Sequence, residues 1–209
     1  TYKVEVIGEM ARTLYMPGNY QSAPNWNPAT AATLYTQNVN FKYDGYVNLI
    51  AGSEFKFTDG PGWGTDGYNE YGTDPEGDPG NLSGGSNIAV ADAGFYRVTA
   101  DLSGNPYTYT VTKTEWGIVG SATSAQWDAS AAIPMTLNPA TYEWTVLAPL
   151  TEGELKFVAN RDWAINFGGD LNNLTNDNGA NISITQAGTY KIILELGDPK
   201  AYKATFERQ

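Results

Sequence analysis

Two tryptophans and a lysine recur in this chain at nearly the same spacing, once in each half. The two sets are Trp26, Lys56 and Trp63 in the first half, and Trp127, Lys156 and Trp163 in the second. The tryptophans lie among turn-forming residues, in loop contexts where a large apolar ring stays exposed when function holds it there. An aromatic ring covers the apolar C–H face of a sugar, and an ammonium group donates hydrogen bonds to its oxygens. The pattern therefore predicts two copies of one glycan-binding site.

Three further polar residues are candidates for the same sites. Arg161 precedes Trp163 by two residues, and we expect it to add a hydrogen bond in the second site, where the first half has a Gly-Pro pair. Asn87 and Asn181 recur before an apolar pair and either reach the ligand or shape a turn. The two sites are therefore expected to differ in strength.

These residues belong to a longer internal repeat. The matching segments are residues 14–18 with 116–120, 54–57 with 154–157, 71–72 with 167–168, 87–88 with 181–182, and 93–96 with 187–190. The offset is 100 at the lysines (156 − 56) and 94 at the later tyrosines (190 − 96). The difference predicts a six-residue insertion in the first copy, between Trp63 and Asn87.

The repeat divides the chain into carbohydrate-binding module 1 at residues 12–113 and carbohydrate-binding module 2 at residues 114–209. Residues 1–11 resemble the closing strand of module 1. They are predicted to be the linker or trailing strand of a preceding module, which would make this chain a C-terminal part of something longer.

Strand patterns dominate both modules. Phe55 and Phe57 alternate with Glu54 and Lys56, as the period of two in a strand requires. Such strands, separated by frequent turn signals, predict an all-β fold of two tandem immunoglobulin-like β-sandwich modules. The helix-compatible stretches, near residues 29–33 and 124–132, are short. The aromatic residues predicted to be in the core are Phe55, Phe57, Tyr96, Trp116, Trp144, Phe157 and Tyr190.

Composition narrows the function. The 209 residues carry a net charge of −11 with a pI near 4.3, which argues against nucleic acid, anionic membranes and polyanionic glycans. The sequence has no Cys and no His, so nucleophile systems that need either residue are excluded. No apolar run approaches the roughly 20 residues of a membrane-spanning helix. A neutral glycan fits this composition, and no cofactor is predicted.

Three alternative functions are an enzyme, a structural or adhesive surface protein, and a calcium-binding protein. Glycoside hydrolysis needs two carboxylates about 5–10 Å apart, and Glu54 and Glu154 recur without a matched acidic partner, so we predict no catalysis. A structural or adhesive surface protein without sugar affinity is an alternative, because sandwiches host many functions. Asp74, Glu76 and Asp78 alternate as calcium ligands can, although the Pro and Gly residues between them favour an ordinary exposed loop.

On these repeated residues the chain resembles the SusE/SusF family of starch-binding outer-membrane lipoproteins. The resemblance rests on opening strands ending in Gly18 and Gly120, the four tryptophan loops, the Glu-Phe-Lys-Phe and Glu-Leu-Lys-Phe strands, and the Asn-Ile…Ala-Gly-x-Tyr segments.

The resemblance implies a non-catalytic protein on the outer surface of the cell outer membrane, lipid-anchored through a part outside this sequence. It implies that each triad holds the arc of an α-glucan such as starch, and that other outer-membrane glycan-uptake components are partners. Binding of a different neutral glycan remains the alternative.

Overall fold

The computed structural model describes residues 11–73, 78, 80–82 and 84–209. The chain divides into two compact units. Unit 1 comprises residues up to Gly45, with Ile50–Asp92 and Val98–Thr110, and unit 2 comprises Tyr46–Leu49, Ala93–Arg97 and Val111–Gln209. Two short pieces of unit 2 therefore come from the part of the sequence assigned to module 1. The module boundaries drawn from the repeat remain a prediction.

The described part of the first half of the sequence forms nine strands. They are β1 Thr13–Met16, β2 Ala32–Tyr35, β3 Lys42–Leu49, β4 Ser53–Phe55, β5 Phe57–Thr58, β6 Glu70–Tyr71, β7 Ile88–Val90, β8 Gly94–Asp101 and β9 Thr108–Lys113. Seven of them form one sheet in the order β6-β5-β1-β2-β3-β8-β9, and β4 pairs with β7.

The strands of the second half form two sheets. They are β10 Trp116–Val119, β11 Ile133–Pro134, β12 Thr136–Asn138, β13 Glu143–Leu150, β14 Gly153–Ala159, β15 Asn166–Asp170, β16 Asn173–Asn176, β17 Ile182–Ile184, β18 Gly188–Glu195 and β19 Lys203–Arg208. One sheet has the order β11-β10-β14-β15-β16 with β17 added to β14, and the other has the order β12-β13-β18-β19. The predicted all-β class is confirmed.

The helices in the described residues are single 3-10 turns at Pro28–Thr30, Gly64–Asp66 and Ala129–Ala131. The first and third fall where the sequence allowed short helices, and the second was not predicted. In the part of the chain that the structure describes, no helix has the length and apolar character needed to cross a membrane.

The core of unit 2 lies between its two sheets, where apolar residues from alternate strand positions meet. Trp116 on β10 stacks on Phe167 of β15, with ring centroids 5.2 Å apart. Tyr46 and Phe95 join this cluster from the first half of the sequence. All the aromatic residues predicted to be in the core are buried: Phe55, Phe57, Tyr96, Trp116, Trp144, Phe157 and Tyr190.

In each unit, the segment that carries the repeated lysine pairs with different strands at its two ends, and we call it the crossing strand. In unit 2, β14 pairs with β17 through its first residues and with β10 and β15 through its last. In unit 1 the same segment is split into β4 and β5 at Lys56, whose N–H donates to the carbonyl of Pro17 at 3.0 Å. The side chain of Lys56 therefore leaves the strand on the face opposite to the buried Phe55 and Phe57.

Glycine is required where the opening strand meets this crossing strand. A Cβ atom on Gly18 would lie 2.4 Å from the carbonyl oxygen of Glu54, and one on Gly120 would lie 2.2 Å from that of Glu154. Gly120 also has a φ of +144°, which L side chains rarely adopt. The two glycines that carry the repeat are therefore explained by a close backbone approach.

Candidate functional site

The first predicted triad lines a single hollow in unit 1. Trp26, Lys56 and Trp63 border an open depression of about 400 Å³, together with Asn87. Both indole rings are half-buried, so each has one edge supported by the protein and one part open to solvent. The structure therefore brings together three residues that are up to 37 positions apart in the sequence (63 − 26).

Trp26 is held by a tightly bonded turn. Its N–H donates to the carbonyl of Gly18 at 3.1 Å, and its φ of +57° is uncommon for a residue with a side chain. The next residue, Asn27, caps the 3-10 turn Pro28–Thr30 by accepting from the N–H of Ala29 at 3.1 Å. Fixed backbone on both sides of Trp26 limits where its ring can point.

Trp63 is held by the turn that follows it. Its N–H donates to Oδ2 of Asp66 at 3.0 Å, and its carbonyl accepts from the N–H of Asp66 at 2.8 Å. Glu70 ties this turn to the lysine, because its Oε1 accepts from the N–H of Gly64 at 2.9 Å while its Oε2 lies 3.9 Å from Nζ of Lys56. The loop and the lysine thus share one carboxylate.

The second triad forms a ring pair in unit 2. The indoles of Trp127 and Trp163 lie with centroids 6.2 Å apart and planes inclined by 33°. They are 38% and 40% exposed, so both rings are open to solvent. Two adjacent rings at this inclination form a bent apolar surface that suits a curved chain of sugars better than a flat one.

Lys156 reaches the same loop through Asn166. Its ammonium group donates to Oδ1 of Asn166 at 3.2 Å, and Nδ2 of Asn166 donates to the carbonyl of Trp163 at 2.9 Å. Asn166 is 5% exposed. The lysine is therefore fixed to the tryptophan loop in unit 2 as it is in unit 1, but by a neutral, buried partner.

Arg161 is placed between the two tryptophan loops of unit 2. Its guanidinium donates to the carbonyl of Ser130 at 3.3 Å, which links the loop before Trp163 to the turn after Trp127. Arg161 has a φ of +56°, and it borders a hollow of about 260 Å³ that Glu115 also lines. This position gives Arg161 a loop-fastening contact, and its predicted contact with the ligand remains a prediction.

A repeated pair of polar residues was only partly anticipated from the sequence. Nδ2 of Asn87 donates to Oε2 of Glu54 at 3.0 Å, and Nδ2 of Asn181 donates to Oε2 of Glu154 at 2.9 Å. Since Asn87 also lines the hollow of unit 1, its amide is fixed at the site by a charge-assisted bond. The signal in the sequence was that the glutamate recurs at an offset of 100 (154 − 54) and the asparagine at an offset of 94 (181 − 87).

Glu70 and Asn166 were missed altogether. Each lies one residue before an aromatic residue that pairs with the crossing strand, Tyr71 in unit 1 and Phe167 in unit 2. Their residue types differ, so residue type gave no reason to select them, although the match of residues 71–72 with 167–168 aligns them. The strand register agrees with that alignment.

Two titratable groups near the triads have shifted pKa values. The pKa of Asp128 lies below its ordinary value because the hydroxyl and the N–H of Ser130 donate to its carboxylate. Burial raises the pKa of Tyr71, and nearby Asp59 adds to the effect.

Nothing in the described part of the chain forms a metal-binding group. No cluster of three or more His, Cys, Asp or Glu side chains is present among the described residues. The calcium ligands considered in the sequence included Asp74 and Glu76, which lie outside the described residues.

This chain is similar to known proteins in the sequence of its second half and in its fold. Residues 115–205 match the family described as SusF/SusE starch specific CBMs. The structure matches the crystal structure of SusF from Bacteroides thetaiotaomicron with a TM-score of 0.58 and 20% sequence identity, over 95% of this chain and 48% of that one. The chain thus spans about half the length of that SusF. Comparison with curated proteins finds no match.

Because the identity to SusF is 20%, that likeness shows the fold alone. The family match concerns the sequence of residues 115–205. The resemblance to the SusE/SusF family that the repeated residues indicated is therefore confirmed, by the sequence of residues 115–205 and by the all-β fold that the chain shares with SusF.

Proposed function

We propose that this chain is a non-catalytic glycan-binding protein of the cell surface, which binds starch or a related α-glucan through one site in each unit. The first site comprises Trp26, Lys56 and Trp63, and the second comprises Trp127, Lys156 and Trp163. Arg161 contributes to the second site by fastening its loops. The family match over residues 115–205 supports the ligand class, because that family is described as starch specific.

The observation that carries the proposal is the arrangement of the tryptophans and the lysine in each unit. In unit 1, the first triad borders one hollow of about 400 Å³. In unit 2, the two exposed rings lie 6.2 Å apart at an angle of 33°, and Asn166 connects Lys156 to the loop of Trp163. Aromatic faces next to an ammonium group and an amide offer the mixture of apolar and hydrogen-bonding contacts that a sugar ring requires. The inclination of the rings favours the arc of an α-glucan over a flat β-linked chain.

The contacts of the nearby carboxylates support binding without catalysis. Glu54 and Glu154 each accept a bond from an asparagine amide. Glu70 accepts from the N–H of Gly64 and lies beside a lysine ammonium group. Unit 2 has Asn166 at the equivalent position, so the described residues repeat no acid–base pair of carboxylates. Two sites on one chain also raise avidity for a polymer above that for a short oligosaccharide.

The surface location and the lipid anchor are proposed from the family resemblance. Association with other outer-membrane components of glycan uptake is proposed on the same basis.

Affinity electrophoresis in native gels containing starch tests the proposal. We expect the wild-type protein to be retarded, each of Trp26→Ala and Trp127→Ala to be retarded less, and the double variant to migrate as it does without starch. Tyr107→Ala is the control, because Tyr107 is 40% exposed but lies outside both triads. Unchanged retention of the double variant would refute the site assignment.

Calorimetry then identifies the ligand class. We expect heat from binding of a cyclodextrin and little from cello- or xylo-oligosaccharides. Preference for a flat oligosaccharide would point to a different neutral glycan, and absence of binding to every sugar would favour a structural or adhesive role.

A further inference from the structure

Lys56 and Lys156 have partner residues at equivalent positions, but these partners, Glu70 and Asn166, differ in chemistry. In unit 1, Phe57 pairs with Tyr71 and Thr58 with Glu70. In unit 2, Phe157 pairs with Phe167 and Val158 with Asn166. Since the phenylalanines occupy the same place in the repeat, Glu70 and Asn166 occupy the same place on the neighbouring strand.

Asn166 is fully engaged within the protein. Its Oδ1 accepts from Lys156, and its Nδ2 donates to the carbonyls of Trp163 at 2.9 Å and Asp177 at 3.4 Å. At 5% exposure it has little surface to offer a ligand. In unit 2 this position therefore orients the lysine and the loop.

Glu70 is only half engaged. Its Oε1 accepts from the N–H of Gly64, whereas its Oε2 lies 3.9 Å from Nζ of Lys56, which is beyond hydrogen-bond distance. Among the residues that the structure describes, no donor lies within hydrogen-bond distance of Oε2. The side chains of Lys56 and Glu70 are 19% and 36% exposed, so both remain accessible.

We propose that Oε2 of Glu70 and Nζ of Lys56 act together as an acceptor and a donor for two neighbouring hydroxyl groups of one sugar ring. This inference rests on the proposed function of the site. A hydroxyl group both donates and accepts, so one hydroxyl accepts from the ammonium group while the next donates to the carboxylate.

Both bonds would be charge-assisted and so stronger than neutral ones. Glu70 thereby becomes a specificity-determining residue of the first site, which requires free hydroxyl groups on its ligand. The second site has no equivalent acceptor and depends more on stacking against its ring pair.

The substitution Glu70→Gln tests this inference with little change in shape. The amide oxygen of Gln retains the bond from Gly64, while its NH₂ group replaces the acceptor at Oε2 with a donor. The first site is measured alone in a Trp127→Ala, Trp163→Ala background. We expect the affinity for α-cyclodextrin to fall about tenfold, the change that removal of a hydrogen bond to a charged group produces.

An O-methylated α-cyclodextrin supplies a readout that a merely structural role would not move. Methylation removes the hydroxyl donors, so the first site should discriminate strongly against it, and Glu70→Gln should erase most of that discrimination. The second site, measured in a Trp26→Ala, Trp63→Ala background, is the matched control for steric effects of the methyl groups and should discriminate less.

The outcomes separate this inference from the proposed function. If the wild-type first site binds no α-glucan, the proposed function fails. If it binds α-cyclodextrin but Glu70→Gln leaves both affinities unchanged, only the role of Glu70 is overturned. Equal discrimination by the two sites also contradicts that role.

Discussion

In unit 1, Trp26 and Trp63 are half-buried and border a hollow together with Lys56, whereas in unit 2 the rings of Trp127 and Trp163 lie 6.2 Å apart and are more exposed. The lysine of unit 1 has an accessible carboxylate beside it, and that of unit 2 has a buried amide. The same residue types at repeated positions therefore produce two different surfaces.

Part of the difference follows from where the insertion lies. The repeat offset is 100 at Trp63 and Trp163 (163 − 63) but 96 at Glu70 and Asn166 (166 − 70). Four of the six extra residues thus follow Trp63 directly and include the 3-10 turn Gly64–Asp66. The insertion lengthens the loop that carries the second ring of unit 1, without disturbing the strand that carries its lysine.

The largest expected effect is the loss of stability when the glycine that both units share, Gly18 or Gly120, is replaced. Gly18→Ala and Gly120→Ala each force a Cβ atom against a backbone carbonyl, and Gly120→Ala adds strain at a positive φ. We expect Gly120→Ala to lower the free energy of unfolding by about 3 kcal/mol and Gly18→Ala by about 2 kcal/mol. In thermal unfolding, these changes correspond to Tm decreases of roughly 6–12 °C and 4–8 °C.

Gly85→Ala is the control for this prediction, since a Cβ atom there meets nothing within 4 Å. If the Gly120 variant were as stable as the control, the close approach of the crossing strand would not be the reason for the repeated glycine.

The next prediction compares the binding contributions of the adjacent rings in unit 2 with those of the two rings that border the hollow in unit 1. Truncation of any one of the four tryptophans to Ala should cost about 2 kcal/mol of binding free energy, as for buried anchors at other interfaces. The coupling energy in a double-mutant cycle should be about 1 kcal/mol for Trp127 with Trp163 and within about 0.5 kcal/mol for Trp26 with Trp63. Calorimetry with maltoheptaose, with the other site silenced, measures both cycles.

Similar coupling in the two cycles would mean that the ligand, rather than ring contact, links the tryptophans. The distinction between the two surfaces would then have no energetic consequence.

The smallest effect concerns the caps beside the first tryptophan of each site. Asn27 and Asp128 cap equivalent turns, but only Asp128 titrates, and its pKa is lowered by the bonds from Ser130. A lowered pKa in the folded state stabilises the protein above the unfolded carboxyl pKa of about 3.9, and that contribution is lost as the pH falls through the folded value.

Asp128→Ala should therefore lower the Tm at pH 7, and its difference from wild type should shrink as the pH falls below the unfolded carboxyl pKa of about 3.9. The Asn27→Ala difference should not depend on pH. Asp128→Asn, which keeps a neutral cap, is the control. A pH-dependent effect of Asn27→Ala would show that other groups dominate the acid response.

Much of the scaffold could be read from the sequence because it depends on local patterns. The alternation of Phe55 and Phe57 with Lys56 predicted which face of the strand is buried, and the structure confirms it. The turn-forming residues around Trp26 and Trp127 predicted loops with short helical turns, which also occur. The triads were recognised because residue type and spacing are preserved in both halves.

The sequence by itself determined the all-β fold, the buried aromatic residues and the two triads of repeated tryptophans and lysine, because strand period, turn chemistry and repetition can be read from residue types and their spacing. The tertiary structure alone decided the 33° inclination of one ring pair, the hollow at the other, and the partners of the two lysines. Those features depend on strand register and on how a loop folds back over a strand. Glu70 lies 14 residues after Lys56 (70 − 56), and Asn166 lies 10 after Lys156. Contacts across such distances are set by packing, which no local pattern specifies.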